Sequence, residues 1–212
     1  MPHLLELFSG TGSIGKVFAA AGWRVTSVDL EPRFNPTFCM NVLDFEPSMV
    51  EGPVNLLWGS PPCTHYSKAR TRAKTPRDLV GSDRLVQKVL DLAAHFDAPF
   101  FMENPQGLLM HRDVVRGISM RLIDYCMYAD DRFPVFYRKR TCIWSNTNWC
   151  PKRPLCNKQC RGCDEGGRHI QRANGQPTVT REGRRYEGHR REQLYAIPPS
   201  LPEELLTFLT RQ

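Results

Sequence analysis

Cys63 stands in Ser60-Pro61-Pro62-Cys63-Thr64-His65-Tyr66-Ser67, directly after the apolar run 54–58. Two prolines stiffen the backbone before it, and His65, Lys68 and Arg70 nearby would favour the thiolate, the nucleophilic form. A lone cysteine is more often a small buried hydrophobe. A position just past a strand, among cations, points instead to chemistry. Glu103 follows the apolar run 100–102 and precedes Asn104-Pro105. A carboxyl partly withdrawn from water has a raised pKa and can donate a proton. Taken alone, Glu103 reads equally well as a loop acid or a helix cap. A thiol and a carboxyl at the ends of two strands make a nucleophile with an acid beside it.

A third group has binding character. Phe8-Ser9-Gly10-Thr11-Gly12-Ser13-Ile14-Gly15 is a glycine-rich turn between a predicted strand and a predicted helix. Such turns let a ligand approach the backbone and offer it the free N–H groups of a helix start. Asp29 lies nineteen residues after Gly10, where an acid accepts hydrogen bonds from ribose hydroxyls in nucleoside-binding α/β folds. The turn and the acid leave nicotinamide cofactors and S-adenosylmethionine both open.

The elements that must position these groups alternate. Strands are predicted over 3–8, 24–29, 54–58 and 99–102, the last stopped by Glu103-Asn104-Pro105, with weaker candidates over 122–128 and 141–144. One helix is predicted after Gly12, with Ile14, Val17, Phe18 and Ala21 on its inner face and Gly22 as its stop. A longer one, capped by Ser82 or Asp83, presents Leu85, Val86, Val89, Leu90, Leu92, Ala93 and Phe96. A short closing helix over 198–209 uses Leu201, Leu205 and Leu209. This alternation predicts an α/β fold around a mostly parallel sheet. From about residue 145 to 191 the pattern dissolves into Gly, Pro, Arg and Cys, too poor in aliphatic residues to build a core alone.

That segment contains Cys150, Cys156, Cys160 and Cys163, four thiols within fourteen residues. They suit a structural zinc, which can hold together a segment that burial cannot fold. His169 or Cys142 could substitute for one of them. Free thiols or a disulfide are the other readings. Cys39 and Cys126 are expected in the core, and His95 is expected to pack or face solvent.

Charge is unevenly spread. Residues 138–191 carry fourteen Lys or Arg against four Asp or Glu, a net of +10 within a chain of +7, so the rest is mildly acidic. A second basic cluster, Lys68, Arg70, Arg72, Lys74 and Arg77, follows Ser67. Two such clusters in 212 residues favour contact with a polyanion over two merely solvated loops. No apolar run approaches the ~18 residues of a membrane span. The start, Met1-Pro2-His3-Leu4-Leu5-Glu6, lacks the basic and apolar regions of a signal peptide, so an intracellular protein with reduced thiols is expected.

These residues resemble the DNA (cytosine-5) methyltransferases. Phe8-Ser9-Gly10-Thr11-Gly12 is similar to their first cofactor motif, Pro62-Cys63-Thr64-His65-Tyr66-Ser67 to their nucleophile motif, and Met102-Glu103-Asn104-Pro105 to the motif whose acid grips the target base. Arg138-Lys139-Arg140, leading into Thr141-Cys142-Ile143-Trp144, fits their Arg-x-Arg segment. The motifs occur in the family's order. The glutamine usual before that segment is Phe136 here, and 195–201 only loosely echoes the last cofactor motif, without its asparagine.

The resemblance implies a Rossmann-like fold over 1–144, a reduced target-recognition segment over 145–191 and a C-terminal segment, 192–212, packing back on the catalytic part. It implies S-adenosylmethionine bound by Phe8, Ser9, Gly10, Thr11, Gly12, Asp29, Leu30, Asp44 and Pro61, with Asp44 near the adenine amino group. Cys63 would add to carbon 6 of a flipped or single-stranded cytosine, Glu103 would hold ring nitrogen 3, and Arg140, with Arg138, the carbonyl oxygen. Ser67, Lys68, Arg70, Arg72 and Lys74 would close on the nucleic acid. DNA is the expected polymer and RNA, methylated by one branch of the family, the close alternative. The setting expected is the cytoplasm or nucleoid of a bacterium or a virus-infected cell. Two further readings differ in kind. An amino-methyltransferase would want an aromatic residue where Cys63 stands and would leave Glu103 idle. A non-catalytic nucleic-acid-binding relic would keep its binding on loss of Cys63.

Overall fold

The computed structural model describes residues 1–71, 73–173, 176–179, 183–188 and 191–211. The strands are β1 (His3–Leu7), β2 (Arg24–Asp29), β3 (Phe38–Cys39), β4 (Leu56–Gly59), β5 (Phe100–Pro105), β6 (Ser119–Asp124) and β7 (Arg140–Ser145), in one sheet of order β3-β2-β1-β4-β5-β7-β6. The pairings β1–β2, β1–β4, β2–β3 and β4–β5 are parallel, while β7 runs antiparallel to both β5 and β6. The mostly parallel α/β sheet read from the sequence is therefore observed, with an antiparallel edge.

Both faces of the sheet are covered, which is why β1 and β4 are buried throughout. Helix α1 (Ser13–Ala20) and the C-terminal α4 (Ser200–Leu209) pack on one face, where Leu4, Leu56, Trp58 and Phe101 meet Ile14, Phe18, Leu201 and Leu205. Helix α2 (Leu79–His95) covers the other, where Leu5, Leu7, Leu57 and Met102 meet Val86, Val89 and Leu92. Consecutive residues such as Leu4 and Leu5 thus serve opposite layers, as strand alternation requires. Gly59 lets α2 approach closely: a Cβ there would stand 2.8 Å from Val89 Cγ1.

Several expected boundaries move. Helix α2 starts at Leu79 because Asp78 caps it, its Oδ1 accepting from the Gly81 N–H at 2.8 Å, whereas Ser82 is buried within the first turns. Strand β5 does not stop before Glu103. It runs through Glu103, Asn104 and Pro105, which pair with Ile143, Cys142 and Thr141 of β7. Proline at the last position is tolerated there. Strand β6 ends at Asp124, and 125–127 form a 3-10 turn. The segment after 145 contains a two-stranded ribbon, β8 (Thr178–Val179) with β9 (Arg185–Tyr186), and a short helix α3 (Arg191–Tyr195). Cys39, expected in the core, is exposed.

Among the described residues no helix is long and apolar enough to cross a membrane.

Candidate active site

The carboxyl ends of β1, β2, β4 and β5 lie along one edge of the sheet, and β1 is flanked by β2 on one side and β4 on the other. Ligands of open α/β sheets bind at such a switch of direction. One cavity of about 440 Å³ lies there. It is lined by Phe8, Ser9, Gly10, Thr11, Asp29, Leu30, Pro61, Cys63 and Glu103, so most of the residues expected to bind a cofactor share one space with the expected nucleophile and acid.

The β1–α1 turn is built tightly. Phe8, Gly10 and Gly12 all have positive φ, 56°, 47° and 66°. For a phenylalanine that is an uncommon backbone state, of the kind held at ligand-binding turns. A Cβ on Gly10 would have nothing nearer than Phe8 O at 4.0 Å, so the missing side chain leaves open space for a ligand. Asp29 Oδ2 accepts from the Gly10 N–H at 2.7 Å and Oδ1 from the Glu31 N–H at 2.9 Å. The acid at the end of β2 therefore also fixes the glycine turn. Beneath, buried Glu6 accepts from the N–H groups of Ile14 and Gly15 at 3.3 and 3.1 Å. Burial pushes its pKa up to about 7 against those two hydrogen bonds. The apolar surfaces of Leu30, 67% exposed, and Tyr195, 55% exposed, stand at the wall, where a planar base could cover them.

At the other end, the Cys63 loop is a single turn, with Cys63 O accepting from Tyr66 N and Ser67 N at 3.0 and 2.9 Å. Tyr66, fully buried, donates through its hydroxyl to Asp83 of α2 at 2.8 Å, and Asp83 also holds Arg112. Asn104 Nδ2 donates to Pro61 O at 2.8 Å, tying the loop to β5. Glu103 is 6% exposed, and its Oε1 accepts from the Tyr125 hydroxyl at 3.0 Å with Lys139 Nζ at 3.8 Å. Burial and Glu103 together hold the Tyr125 phenol protonated, hence a donor. The Lys139 ammonium also lies over the Tyr125 ring, 4.7 Å from its centre.

The expectation that neighbouring cations favour a Cys63 thiolate needs correction. His65 Nδ1 accepts from the Asp78 N–H at 2.8 Å, and Arg70 is bound to Thr75 and Pro76. Burial and the Glu103 carboxylate push the Cys63 thiol above its ordinary range, and Lys139 pulls it back. Lys139 is the cation in the cavity wall nearest this chemistry, and its place between two arginines hid it in the sequence.

Other expected residues lie elsewhere. Arg140 forms a two-pronged pair with buried Asp124, Nε to Oδ1 at 3.0 Å and Nη2 to Oδ2 at 2.7 Å, and neither it nor Arg138 lines the cavity. Asp44 is exposed at a 3-10 turn over 42–44 and does not line the cavity either. Gly12 lines a shallower groove beside α1 instead. In the loop after Cys63, Lys68 and Lys74 are exposed, and the Ser67 hydroxyl accepts from Ala69 N. Arg72 lies outside the described residues. The C-terminal segment returns to the site, where Ile197 N donates to Ser13 Oγ at 3.1 Å, and Tyr195 and Ile197 line the cavity. In the Cys-rich segment, Cys156 and Cys160 gather with Cys126 and His169, Cys163 lies beside them with its Sγ 3.6 Å from Cys160 Sγ, and Cys150 stands apart and exposed.

No protein-family model matches the chain. A probable DNA (cytosine-5)-methyltransferase of Frog virus 3 (isolate Goorha) is 28% identical over 224 aligned residues, 96% of this chain and 98% of that protein. The chain resembles the DNA (cytosine-5)-methyltransferases from end to end. Among solved structures, a provisionally named DNA modification methyltransferase encoded within an E. coli prophage overlays with a TM-score of 0.50 at 15% identity, covering 68% of this chain. The match spans 46% of that larger chain. DNMT2 of Spodoptera frugiperda gives a TM-score of 0.43 at 17% identity over 73% of this chain and 53% of its own. The fold is a Rossmann-like α/β fold shared with the prophage methyltransferase, carrying a Cys-rich basic insertion.

Proposed function

We propose that the chain transfers a methyl group from S-adenosylmethionine to carbon 5 of cytosine in DNA, with Cys63 as covalent nucleophile. The observation that carries this reading is the single cavity joining the glycine turn and Asp29 to Cys63 and Glu103. The full-length similarity to the viral protein supports the reaction and the polymer.

The residues present fit the cofactor. Gly10 leaves space beside the turn, Asp29 offers carboxylate oxygens for ribose hydroxyls, and Leu30 and Tyr195 offer apolar surface for the purine. When bound, S-adenosylmethionine supplies an electrophilic methyl group that carbon 5 of an unactivated cytosine is too weak a nucleophile to accept. Cys63 overcomes that weakness: its thiolate adds to carbon 6, and the electron pair displaced makes carbon 5 nucleophilic. Glu103, in reach of the Tyr125 hydroxyl and Lys139, would act in its protonated form, giving its proton to ring nitrogen 3 as the thiolate adds and taking it back when the thiolate leaves. Loss of the carbon-5 proton to a base then re-forms the ring double bond and expels Cys63. Lys139, in the cavity wall, would hold the carbonyl oxygen expected from the sequence to meet Arg140, whose guanidinium is paired with Asp124. A base would have to leave its stack to reach Cys63 in such a cavity, which supports flipping or a single-stranded substrate. Residues 1–144 would then do chemistry, 145–191 recognise the target, and 192–212 complete the cavity. Ser67, Lys68, Arg70, Arg72 and Lys74 would contact the polymer backbone.

The test uses DNA containing 5-fluorocytosine with S-adenosylmethionine. Fluorine cannot leave as a proton does, so the enzyme should remain covalently attached in denaturing gels. Cys63→Ser should form no such complex yet still bind the DNA. A wild-type protein that captures neither this DNA nor the equivalent RNA would overturn the mechanism.

A further inference from the structure

Four potential ligand atoms, the thiols of Cys126, Cys156 and Cys160 and a ring nitrogen of His169, lie within 4.8 Å of one another. The separations have the scale of a coordination tetrahedron. Zinc–sulfur bonds of about 2.3 Å put ligand atoms about 3.8 Å apart. Cys156 Sγ is 3.6 Å from His169 Nε2, and Cys160 Sγ is 3.4 Å from it. A disulfide would need two sulfurs at about 2.05 Å, and every cysteine here is a free thiol. Several thiols converge on one imidazole nitrogen, which has a single donor or acceptor position and so cannot satisfy them all by hydrogen bonding, whereas a metal ion can.

The setting fits a thiolate site. Cys156 Sγ accepts from the Lys158 N–H at 3.3 Å, the kind of outer contact that orients a ligand sulfur. Its own N–H donates to Asp124 Oδ2 at 3.0 Å, and Asp124 holds Arg140 at the start of β7. Cys126 lies in the 3-10 turn that directly follows β6, whereas Cys156, Cys160 and His169 belong to the basic segment. That segment is poor in the aliphatic residues that would dock it by burial alone.

We propose that Cys126, Cys156, Cys160 and His169 bind one zinc ion and so fasten the basic segment to the antiparallel edge of the sheet. The site stands independently of the methyl-transfer reading. On binding, the three thiols give up their protons to solvent and the imidazole binds neutral. Cys163, 3.6 Å from Cys160 Sγ and 3.7 Å from His169 Nε2, borders the site, but the four assigned residues are the set among the described residues whose ligand atoms all lie within 4.8 Å of one another. Its structural consequence is placement: Arg138, Lys158, Arg168 and Arg172 line one pocket together with His169, so the metal holds three cations of the segment beside one from the sheet's edge.

Zinc content of protein purified under reductant tests this. Wild type and Cys150→Ser should each hold one equivalent, while Cys126→Ser and His169→Gln should hold less than a tenth of that. Alkylation mapping of the unaltered protein covers the case in which a variant fails to fold. Cys160 should react only after a chelator removes zinc, whereas Cys39 and Cys150 should react throughout. A protein that retains no zinc after stoichiometric reconstitution, loses it in Cys150→Ser, or keeps it in a folded Cys126→Ser would overturn the assignment.

Discussion

The thiol of Cys63 shares its cavity with the buried Glu103 carboxylate and the Lys139 ammonium, the two charges that act on it most. Burial and Glu103 raise its pKa while Lys139 lowers it, so the thiolate fraction at neutral pH is set by that balance. Alkylation of Cys63 followed against pH reads it directly. Removing the cation in Lys139→Met should move the ascending limb to higher pH and slow reaction at pH 8 several-fold. Removing the carboxylate charge in Glu103→Gln should move it to lower pH. Coincident profiles for all three proteins would mean that neither charge acts on the thiol. The expected helpers, His65 and Arg70, were wrong for a local reason: each is satisfied by its own loop.

At the scale of elements, strand parity explains what the sequence showed and what it hid. Glu103 pairs with Ile143, so the face of β5 and β7 that carries Glu103 also carries Thr141 and, one step before the strand, Lys139. Arg140 falls on the opposite parity, against Asp124. Choosing between lysine and arginine needed the antiparallel register, which no local pattern states. Phe8, Gly10, Asp29 and Cys63 were legible because each sits at or just past a strand's carboxyl end, where alternation of apolar runs and turns marks the position, and Glu103 because it follows an apolar run, although its strand continues to Pro105. Cys126 was not, because it joins the other cysteines only through folding of a segment thirty residues downstream. Glu6 gives this scale its own test. It is buried between β1 and α1 with its pKa raised from 4.5 to about 7, so the folded state holds its proton more tightly than the unfolded chain. Its contribution therefore erodes stability as pH rises from 4.5 to about 7 and stays constant above. The loss is on the order of 3 kcal/mol at ~1.4 kcal/mol per unit. Denaturant melts of Glu6→Gln should show a flatter stability-versus-pH slope in that window, and an unchanged slope would place the pH dependence elsewhere.

Across the whole molecule, two halves of different physical character meet at one edge. The sheet with α1, α2 and α4 is held by burial on both faces, and it carries the cavity. The segment 146–191 carries eleven Lys or Arg against four Asp or Glu, and four cysteines, but little apolar material. Its attachments run through Trp149 stacked edge-on against Phe101, the Cys156–Asp124 bond and the thiol–imidazole cluster. This division suits a rigid site for chemistry beside a basic surface for a polyanion. The most direct measurement of the central claim is nucleoside mass spectrometry of unmodified duplex DNA after incubation with the protein and S-adenosylmethionine, with Cys63→Ser in parallel. The account predicts 5-methylcytosine from the wild type and none from the variant. Full 5-methylcytosine formation by Cys63→Ser, or none by the wild type on duplex and single-stranded DNA alike, would contradict it.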